Sequence, residues 1–307
     1  MTHVPWLPGK ASCIEGEGLV AIREAVGNEA GLSCCRAGAL SSKNMILLLK
    51  KEKATPLYLV KAGTGTIVDY FLQNEANWLR VLHDQANLAE HLPELVAHRS
   101  GADLCFVAQT PISGRQSFAL GEQQLDFLRK LQVDSLQLLG FEDSSLFRNL
   151  NSRMRDLSEL LPDVWKFRIN KAIQRFGDSL AGSRHLFVTA HNDFTPWNVR
   201  IRGGSAYVID WEFASGEQLS LFDPLHFILT PVVLRTESPE KIIRTIRETI
   251  QSCSRWFGNE RCCQGEIQAL AYMVNLCTLY LWTVRAKYDT HPVLDRYAKV
   301  IDIFCSA

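Results

Sequence analysis

Two short apolar runs, with a polar loop between them, constrain this chain more than any other part of its sequence. The first run is LFVTA at residues 186–190 and the second is AYVI at residues 206–209. Short runs of this kind, bounded by polar or glycine-rich segments, are typical of buried strands. The sequence RGGS at residues 202–205 predicts a hairpin turn just before the second run. We therefore expect the intervening polar residues to lie where two strand ends meet.

Three side chains with oxygen ligands follow these runs at fixed distances. Asp193 and Asn198 are five residues apart on the loop, and Asp210 follows Asn198 after twelve residues. Carboxylate and amide oxygens are the ligands that Mg²⁺ prefers, and phosphoryl transfer also needs a carboxylate beside the attacking hydroxyl. The spacing therefore favours a site for a metal and a phosphate group. The alternative is that these are ordinary polar loop residues whose spacing arose by chance.

The block HNDFTPWN at residues 191–198, with IDWE at 209–212, resembles the catalytic region of the aminoglycoside phosphotransferase and choline kinase group, relatives of protein kinases. One departure is Asn192, which stands where that group usually has Gly. The resemblance is close over about residues 185–230 and looser over about 30–130. It implies an α+β, protein-kinase-like fold with two lobes, the N-terminal one rich in strands and the C-terminal one mostly helical.

The resemblance also implies roles for these residues. Asp193 would be the catalytic residue, which aligns the acceptor hydroxyl and accepts its proton, and Asn198 and Asp210 would bind Mg²⁺. The expected activity is transfer of the γ-phosphoryl group of ATP to a small-molecule hydroxyl, with a sugar or sugar-linked metabolite as one acceptor class. Two alternatives stay open: a nucleotide-binding pseudokinase or scaffold, and a kinase that acts on a protein.

A predicted ion pair belongs to the first lobe. Lys61 ends the alternating run LYLV of residues 57–60, and burying its charge is costly unless a partner is present. Glu75 lies among leucines at three- and four-residue steps on a predicted helix that begins near Asp69, so it belongs to the apolar stripe. By the resemblance, Lys61 holds the α- and β-phosphates and Glu75 orients it. Alternatively, Lys61 ends an exposed strand and Glu75 favours the helix dipole.

The remaining nucleotide contacts rest on weaker patterns. Ser41 and Ser42 lie in the predicted turn between strands at residues 31–38 and 44–50, where backbone amides can approach a phosphate, although no GxGxxG signature is present. A surface turn explains this segment almost as well. Gln109 and Ile112 belong to a predicted hinge at about residues 109–115, where the resemblance implies adenine contacts. Because Pro111 removes one backbone donor, those contacts must come from its neighbours.

Helical periodicity dominates the rest of the chain. We predict lobes at residues 1–110 and 111–307. The predicted helices of the second lobe lie at about residues 121–131, 145–161, 163–181, 238–256, 264–287 and 292–304. The apolar stretch at 269–284 is interrupted by Asn275 and flanked by charges, so it predicts a buried core helix and no membrane insertion.

Composition excludes several other classes of protein. With 307 residues the chain can bury a sizeable core. Its 33 basic and 33 acidic residues balance, which argues against a nucleic-acid partner. Nine cysteines and the absence of a basic start followed by an apolar segment do not fit a secreted disulfide framework. We therefore expect a cytoplasmic protein whose partner is a small-molecule hydroxyl substrate.

Overall fold

The structure of the protein is a computed structural model that describes residues 17–27, 32–40, 43–50, 56–236, 238–259, 262, 264–284 and 292–306. The chain divides into two compact units. The first comprises the described residues up to Arg115 together with Arg200–Ala214, and the second comprises Gln116–Val199 and the described residues from Ser215 on. Nothing in the sequence indicated that Arg200–Ala214 returns to the first unit. The predicted division after residue 110 stays a prediction.

The first unit contains a five-stranded antiparallel sheet in the order β1-β2-β3-β5-β4. Its elements are α1 (Glu17–Ala25), β1 (Leu32–Leu40), β2 (Lys43–Lys50), β3 (Pro56–Gly63), α2 (Thr66–His83), β4 (Leu95–Arg99) and β5 (Cys105–Gln109). From Arg200 on, the hairpin of β8 (Val199–Arg202) and β9 (Ser205–Val208) groups with this unit. The predicted turn between these hairpin strands is present, with Gly203 and Gly204 both at positive φ.

Alternation along the central strands decides which residues face each helix. In β5, Phe106 packs with α1, while the neighbouring Val107 packs with α2. In β3, Val60 and Ala62 belong to the cluster on the α1 side. Because side chains of successive strand residues point to opposite faces, Lys61 lies on the α2 side.

The second unit is mostly helical and contains a three-stranded antiparallel sheet in the order β10-β7-β6. Its strands are β6 (Gln137–Gly140), β7 (Arg184–Ala190) and β10 (Ser215–Leu219). Its helices are α3 (Glu122–Val133), α4 (Ser145–Asp156), α5 (Asp163–Leu180), α6 (Phe222–Arg235), α7 (Pro239–Phe257), α8 (Gly265–Thr283) and α9 (Pro292–Phe304). The predicted start of α7 is confirmed, since the Ser238 hydroxyl accepts a hydrogen bond from the Lys241 amide.

Helix α8 is the apolar helix predicted for the core. Its residues are largely buried, and the polar interruption at Asn275 is satisfied because Arg153 of α4 donates to both its backbone and its side-chain oxygen, at 3.0 Å each. None of the described helices combines the length and the apolar character needed to cross a membrane.

Candidate active site

A buried ion pair joins the central strand and the helix of the first unit. Lys61 Nζ lies 2.6 Å from Glu75 Oε1 and 2.8 Å from Oε2. The Glu75 side chain is completely buried, and only 6% of the Lys61 side chain is exposed. The predicted pair is therefore present, while the predicted roles of its members toward phosphate stay predictions. A charge buried this deeply is tolerated only when it is paired.

A second carboxylate reaches the same lysine from far along the chain. Asp210 Oδ1 lies 2.5 Å from Lys61 Nζ, and 29% of the Asp210 side chain is exposed. Although burial alone disfavours the ammonium form, Asp210 and Glu75 outweigh it and raise the pKa of Lys61 well above its ordinary value. Lys61 is thus a permanent cation near neutral pH. Sequence reasoning assigned Asp210 only to the metal and missed this contact.

The segment after Asp210 is held against α2. The Asn74 side-chain amide donates to the backbone oxygens of Glu212 and Ala214, at 2.9 and 3.0 Å, and the rings of Phe71 and Phe213 lie 4.9 Å apart. Asp210 itself adopts the left-handed conformation, with φ 73°. This conformation is uncommon for residues other than glycine and asparagine, so the surrounding contacts must maintain it.

These contacts gather three carboxylates that are able to hold a metal ion. Each of Glu75, Asp210 and Glu212 offers an oxygen within 4.8 Å of the other two. Hard oxygen ligands suit Mg²⁺, which commonly uses one or two protein carboxylates and completes its shell with water and phosphate oxygens. Because Glu75 already binds Lys61 through both oxygens, Asp210 and Glu212 are the better placed ligands of this set.

The second unit contains the predicted catalytic loop, which begins directly after β7. Asp193 is partly exposed, and both of its carboxylate oxygens accept hydrogen bonds. The Asn198 side-chain amide donates to Oδ2 at 2.7 Å and to the Asp193 backbone oxygen at 3.0 Å. His226 of α6, which sequence reasoning missed, lies with Nε2 3.0 Å from Oδ1. The five-residue spacing of Asp193 and Asn198 therefore produces a direct contact.

A buried carboxylate braces this loop from α6. Asp223 accepts hydrogen bonds from the backbone amides of His191 and Asn192, at 2.8 and 2.9 Å. Burial raises the pKa of Asp223 to about 6, while the two amides and nearby His226 act in the opposite direction. The brace is therefore ionised at neutral pH. These contacts identify Asp223 as a brace of the loop.

The departure at Asn192 has a backbone explanation. Asn192 has φ 60°, in the left-handed region that glycine tolerates best and asparagine next best. Its side-chain amide also donates to the Ser215 hydroxyl at 3.2 Å. Asparagine thus preserves the loop conformation that glycine would allow and adds one contact to β10.

The other predicted nucleotide contacts are Ser41, Ser42, Gln109 and Ile112. Ser41 and Ser42 lie outside the described residues. Gln109 ends β5 and is buried, and its Oε1 finds no hydrogen-bond partner among the described residues. Ile112 follows three residues later and is half-buried. The roles of these residues toward a nucleotide stay predictions.

A buried lysine held by two carboxylates, and a loop that presents an aspartate beside an asparagine, are components of kinase-type phosphotransferase sites. Comparison with known proteins agrees with this class. Residues 68–215, which include Glu75, Asp193, Asn198 and Asp210, match the phosphotransferase enzyme family. This match confirms the resemblance and the prediction of a phosphotransferase. No curated protein matches the sequence.

Solved structures show the same fold at low sequence identity. The choline kinase LicA from Streptococcus pneumoniae is 13% identical, with a TM-score of 0.61 over 95% of this chain and 100% of its own. The APH(2'')-IIa ternary complex with streptomycin and ATP is 14% identical, with a TM-score of 0.56 over 94% and 97%. A thermostable mutant of the aminoglycoside phosphotransferase APH(4)-Ia, with ADP and hygromycin B, is 12% identical, with a TM-score of 0.60 over 94% and 97%. The predicted kinase-like α+β fold is confirmed.

Proposed function

We propose that this protein is an ATP- and Mg²⁺-dependent kinase that phosphorylates a hydroxyl group of a small molecule. The observation that carries the proposal is the buried charge cluster of Lys61, Glu75 and Asp210. A buried carboxylate and ammonium group cost more to bury than apolar residues of similar size, so the Lys61–Glu75 pair, with the partly exposed Asp210 beside it, is poorly explained by stability alone. A phosphate-binding cation beside a metal-binding carboxylate explains it. The ligands named for the neighbouring structures, ATP and ADP, support the choice of nucleotide.

Each group then has one task in the transfer. Lys61 binds α- and β-phosphate oxygens and Glu75 orients it, while Asp210 and Asn198 supply oxygen ligands to Mg²⁺, with Glu212 as a further candidate. Mg²⁺ held by these residues would neutralise phosphate charge. Asp193 orients the acceptor hydroxyl, whose oxygen forms a bond to the γ-phosphorus as the bond to the bridging oxygen of ADP breaks. The hydroxyl proton passes to the Asp193 carboxylate.

An aromatic pair beside the catalytic loop favours a sugar or sugar-linked acceptor. The rings of Phe118 and Trp197 lie 6.5 Å apart, and 53% of Phe118 is exposed. Trp197 directly precedes Asn198 in the loop. Exposed aromatic rings offer an apolar face with little conformational freedom to lose, and the C–H face of a sugar ring fits such a surface.

The test is a screen of sugars, other hydroxylated metabolites and aminoglycosides for Mg²⁺-dependent ATP consumption, with an acceptor-free control. We expect at least one acceptor to be phosphorylated. Asp193→Asn keeps the size of the side chain but removes its charge, so turnover should fall by about 10²-fold or more while ATP affinity changes only a fewfold. ATP binding without turnover on any acceptor would favour the scaffold alternative.

The metal assignment is tested on the same preparations. Asp210→Ala should abolish the extra thermal stabilisation that Mg-ATP gives over ATP alone, because it removes the charged ligand. Asp302→Ala is the matched control, since Asp302 of α9 is an exposed carboxylate that pairs with Arg168 of α5. It should respond to Mg-ATP as the wild type does. An unchanged Mg²⁺ response in folded Asp210→Ala would contradict the assignment.

A further inference from the structure

A chain of buried hydrogen-bonding side chains leads away from Asp193 into the helices of the second unit. His226 lies one turn into α6, is 3% exposed, and has Nε2 3.0 Å from Asp193 Oδ1. Its other ring nitrogen, Nδ1, lies 2.9 Å from the Tyr272 hydroxyl of α8. That hydroxyl lies 3.3 Å from the Tyr297 hydroxyl of α9. Three helices therefore contribute one residue each to a single chain that ends at the catalytic carboxylate.

The chemistry of these groups gives the chain a direction. An ionised carboxylate only accepts hydrogen bonds, so the contact with Asp193 requires a proton on His226 Nε2. In the neutral imidazole, Nδ1 is then an acceptor and Tyr272 must donate to it. Burial raises the pKa of Tyr272 well above its ordinary value, and that of Tyr297 as well, so both hydroxyls keep their protons. Tyr297 is then able to donate to Tyr272, so that each group of the chain donates its proton to the next group nearer Asp193.

We propose that His226 is a positioning residue that fixes the Asp193 carboxylate for the transfer, and that Tyr272 and Tyr297 fix His226. Asn198 holds Oδ2 and His226 holds Oδ1, so rotation of the carboxylate about its Cβ–Cγ bond is restricted from both sides. The carboxylate lone pairs that accept neither of these hydrogen bonds then keep a fixed orientation toward an acceptor hydroxyl. Because reacting groups must be oriented before the barrier is crossed, this restriction raises turnover without strengthening nucleotide binding.

The hydrogen bond itself is tested without any assay of activity. The ring nitrogens of His226 are observed by ¹⁵N NMR of the histidine-labelled full chain, and the assignment comes from the signals that disappear in His226→Gln. We expect Nε2 to be protonated, and its resonance to shift in Asp193→Asn. An unprotonated Nε2, or an Nε2 resonance that Asp193→Asn leaves unchanged, would overturn the proposal.

The effect on turnover rests on the proposed function and is measured as Mg-ATP hydrolysis with water as the acceptor. His226→Leu should lower turnover by about tenfold or more and leave ATP affinity within a fewfold. His226→Gln, whose terminal amide is able to donate to Asp193, should recover most of that loss. Equal losses in the two variants would overturn the positioning role, because a packing defect does not distinguish a donor from an apolar side chain.

Tyr272→Phe separates the hydrogen-bonded chain from general damage to the core. It should lower turnover a fewfold in the wild-type background and have no further effect in His226→Leu, because the link to Asp193 is already lost there. Thr249→Val is the control, since it removes a buried helical hydroxyl that bonds only within α7. Additive effects of Tyr272→Phe and His226→Leu would contradict the chain. If the wild type turns over ATP neither with water nor with any acceptor of the screen, the proposed function fails and the NMR result still decides the hydrogen bond.

Discussion

The two units hold the carboxylates of the candidate site in opposite ways. In the first unit Glu75 and Asp210 are compensated by a full positive charge on Lys61. In the second unit the side chains of Asp193 and Asp223 accept hydrogen bonds from groups of the loop and α6: an amide side chain, an imidazole and two backbone amides. Charge pairing suits a site whose charged side chains must exchange their protein partners for phosphate and metal ions. Hydrogen bonding suits a site where a carboxylate must keep one orientation.

The largest expected effect comes from breaking the charge pairing. Lys61→Met leaves the buried Glu75 without a cation, so the free energy of unfolding should fall by about 3–5 kcal/mol, the range for breaking one side of a buried ion pair. Adding Glu75→Gln should recover part of that loss, with a coupling of about 0.5–3 kcal/mol. Urea denaturation measures both values.

The control for this experiment is Lys130→Met, which removes the partly exposed partner of the exposed Asp126 on α3. A surface pair of this kind contributes about 0–1 kcal/mol. If Lys61→Met were no more harmful than this control, the charge cluster would not be the buried pair that the distances indicate.

An intermediate effect is expected from pH, through Asp223 in the hydrogen-bonded site. Its folded-state pKa of about 6 lies above the ordinary value of 3.8, so its contribution to stability is complete below that ordinary value and is lost as the pH rises through about 6. The loss is about 3 kcal/mol, from roughly two pKa units at 1.36 kcal/mol each. Relative to Asp223→Asn, the wild type should therefore lose stability between pH 4 and pH 7. Parallel stability profiles of the two proteins would show that Asp223 does not titrate in this range.

The smallest expected effect comes from the backbone of the catalytic loop. Asn192→Ala keeps the left-handed conformation without the local hydrogen bonding that asparagine supplies, and should cost about 1 kcal/mol. Asn192→Gly loses the contact with Ser215 but relieves the strain, so its stability should lie close to that of the wild type. Thermal unfolding of the two variants measures the difference. Equal stability of both would mean that the loop does not enforce φ near 60° at this position.

Sequence reasoning predicted the parts that local pattern controls. The strand that carries Lys61 and the apolar stripe that includes Glu75 are properties of neighbouring residues, and both are present, although β3 continues past Lys61 to Gly63. Boundaries were less accurate: the helix predicted over residues 145–161 ends at Asp156. Helix α1 was missed because it is short, and its core contact depends on a sheet that lies later in the chain.

The contacts that sequence could not predict are those between distant segments. Asp210 reaches Lys61 across 149 residues, and His226 reaches Asp193 from another element. Neither helix nor strand periodicity relates residues that lie this far apart in the sequence. The sequence carried only a weak signal for His226. A histidine within the apolar run of α6 needs a hydrogen-bond partner if it is buried. Which residue becomes that partner depends on tertiary packing, such as that of α6 against α8.

The return of Arg200–Ala214 to the first unit has a consequence for biosynthesis. The ribosome completes the strand with Lys61 and the helix with Glu75 long before it reaches Asp210, although domains often begin to fold during synthesis. Until that point the first unit lacks both the second carboxylate on Lys61 and the strand segment whose Ile201 pairs with Arg115. The nascent first unit therefore stays incomplete until nearly half of the second has been translated, and the order of codons completes the carboxylate pair on Lys61 only after the predicted catalytic loop has been made.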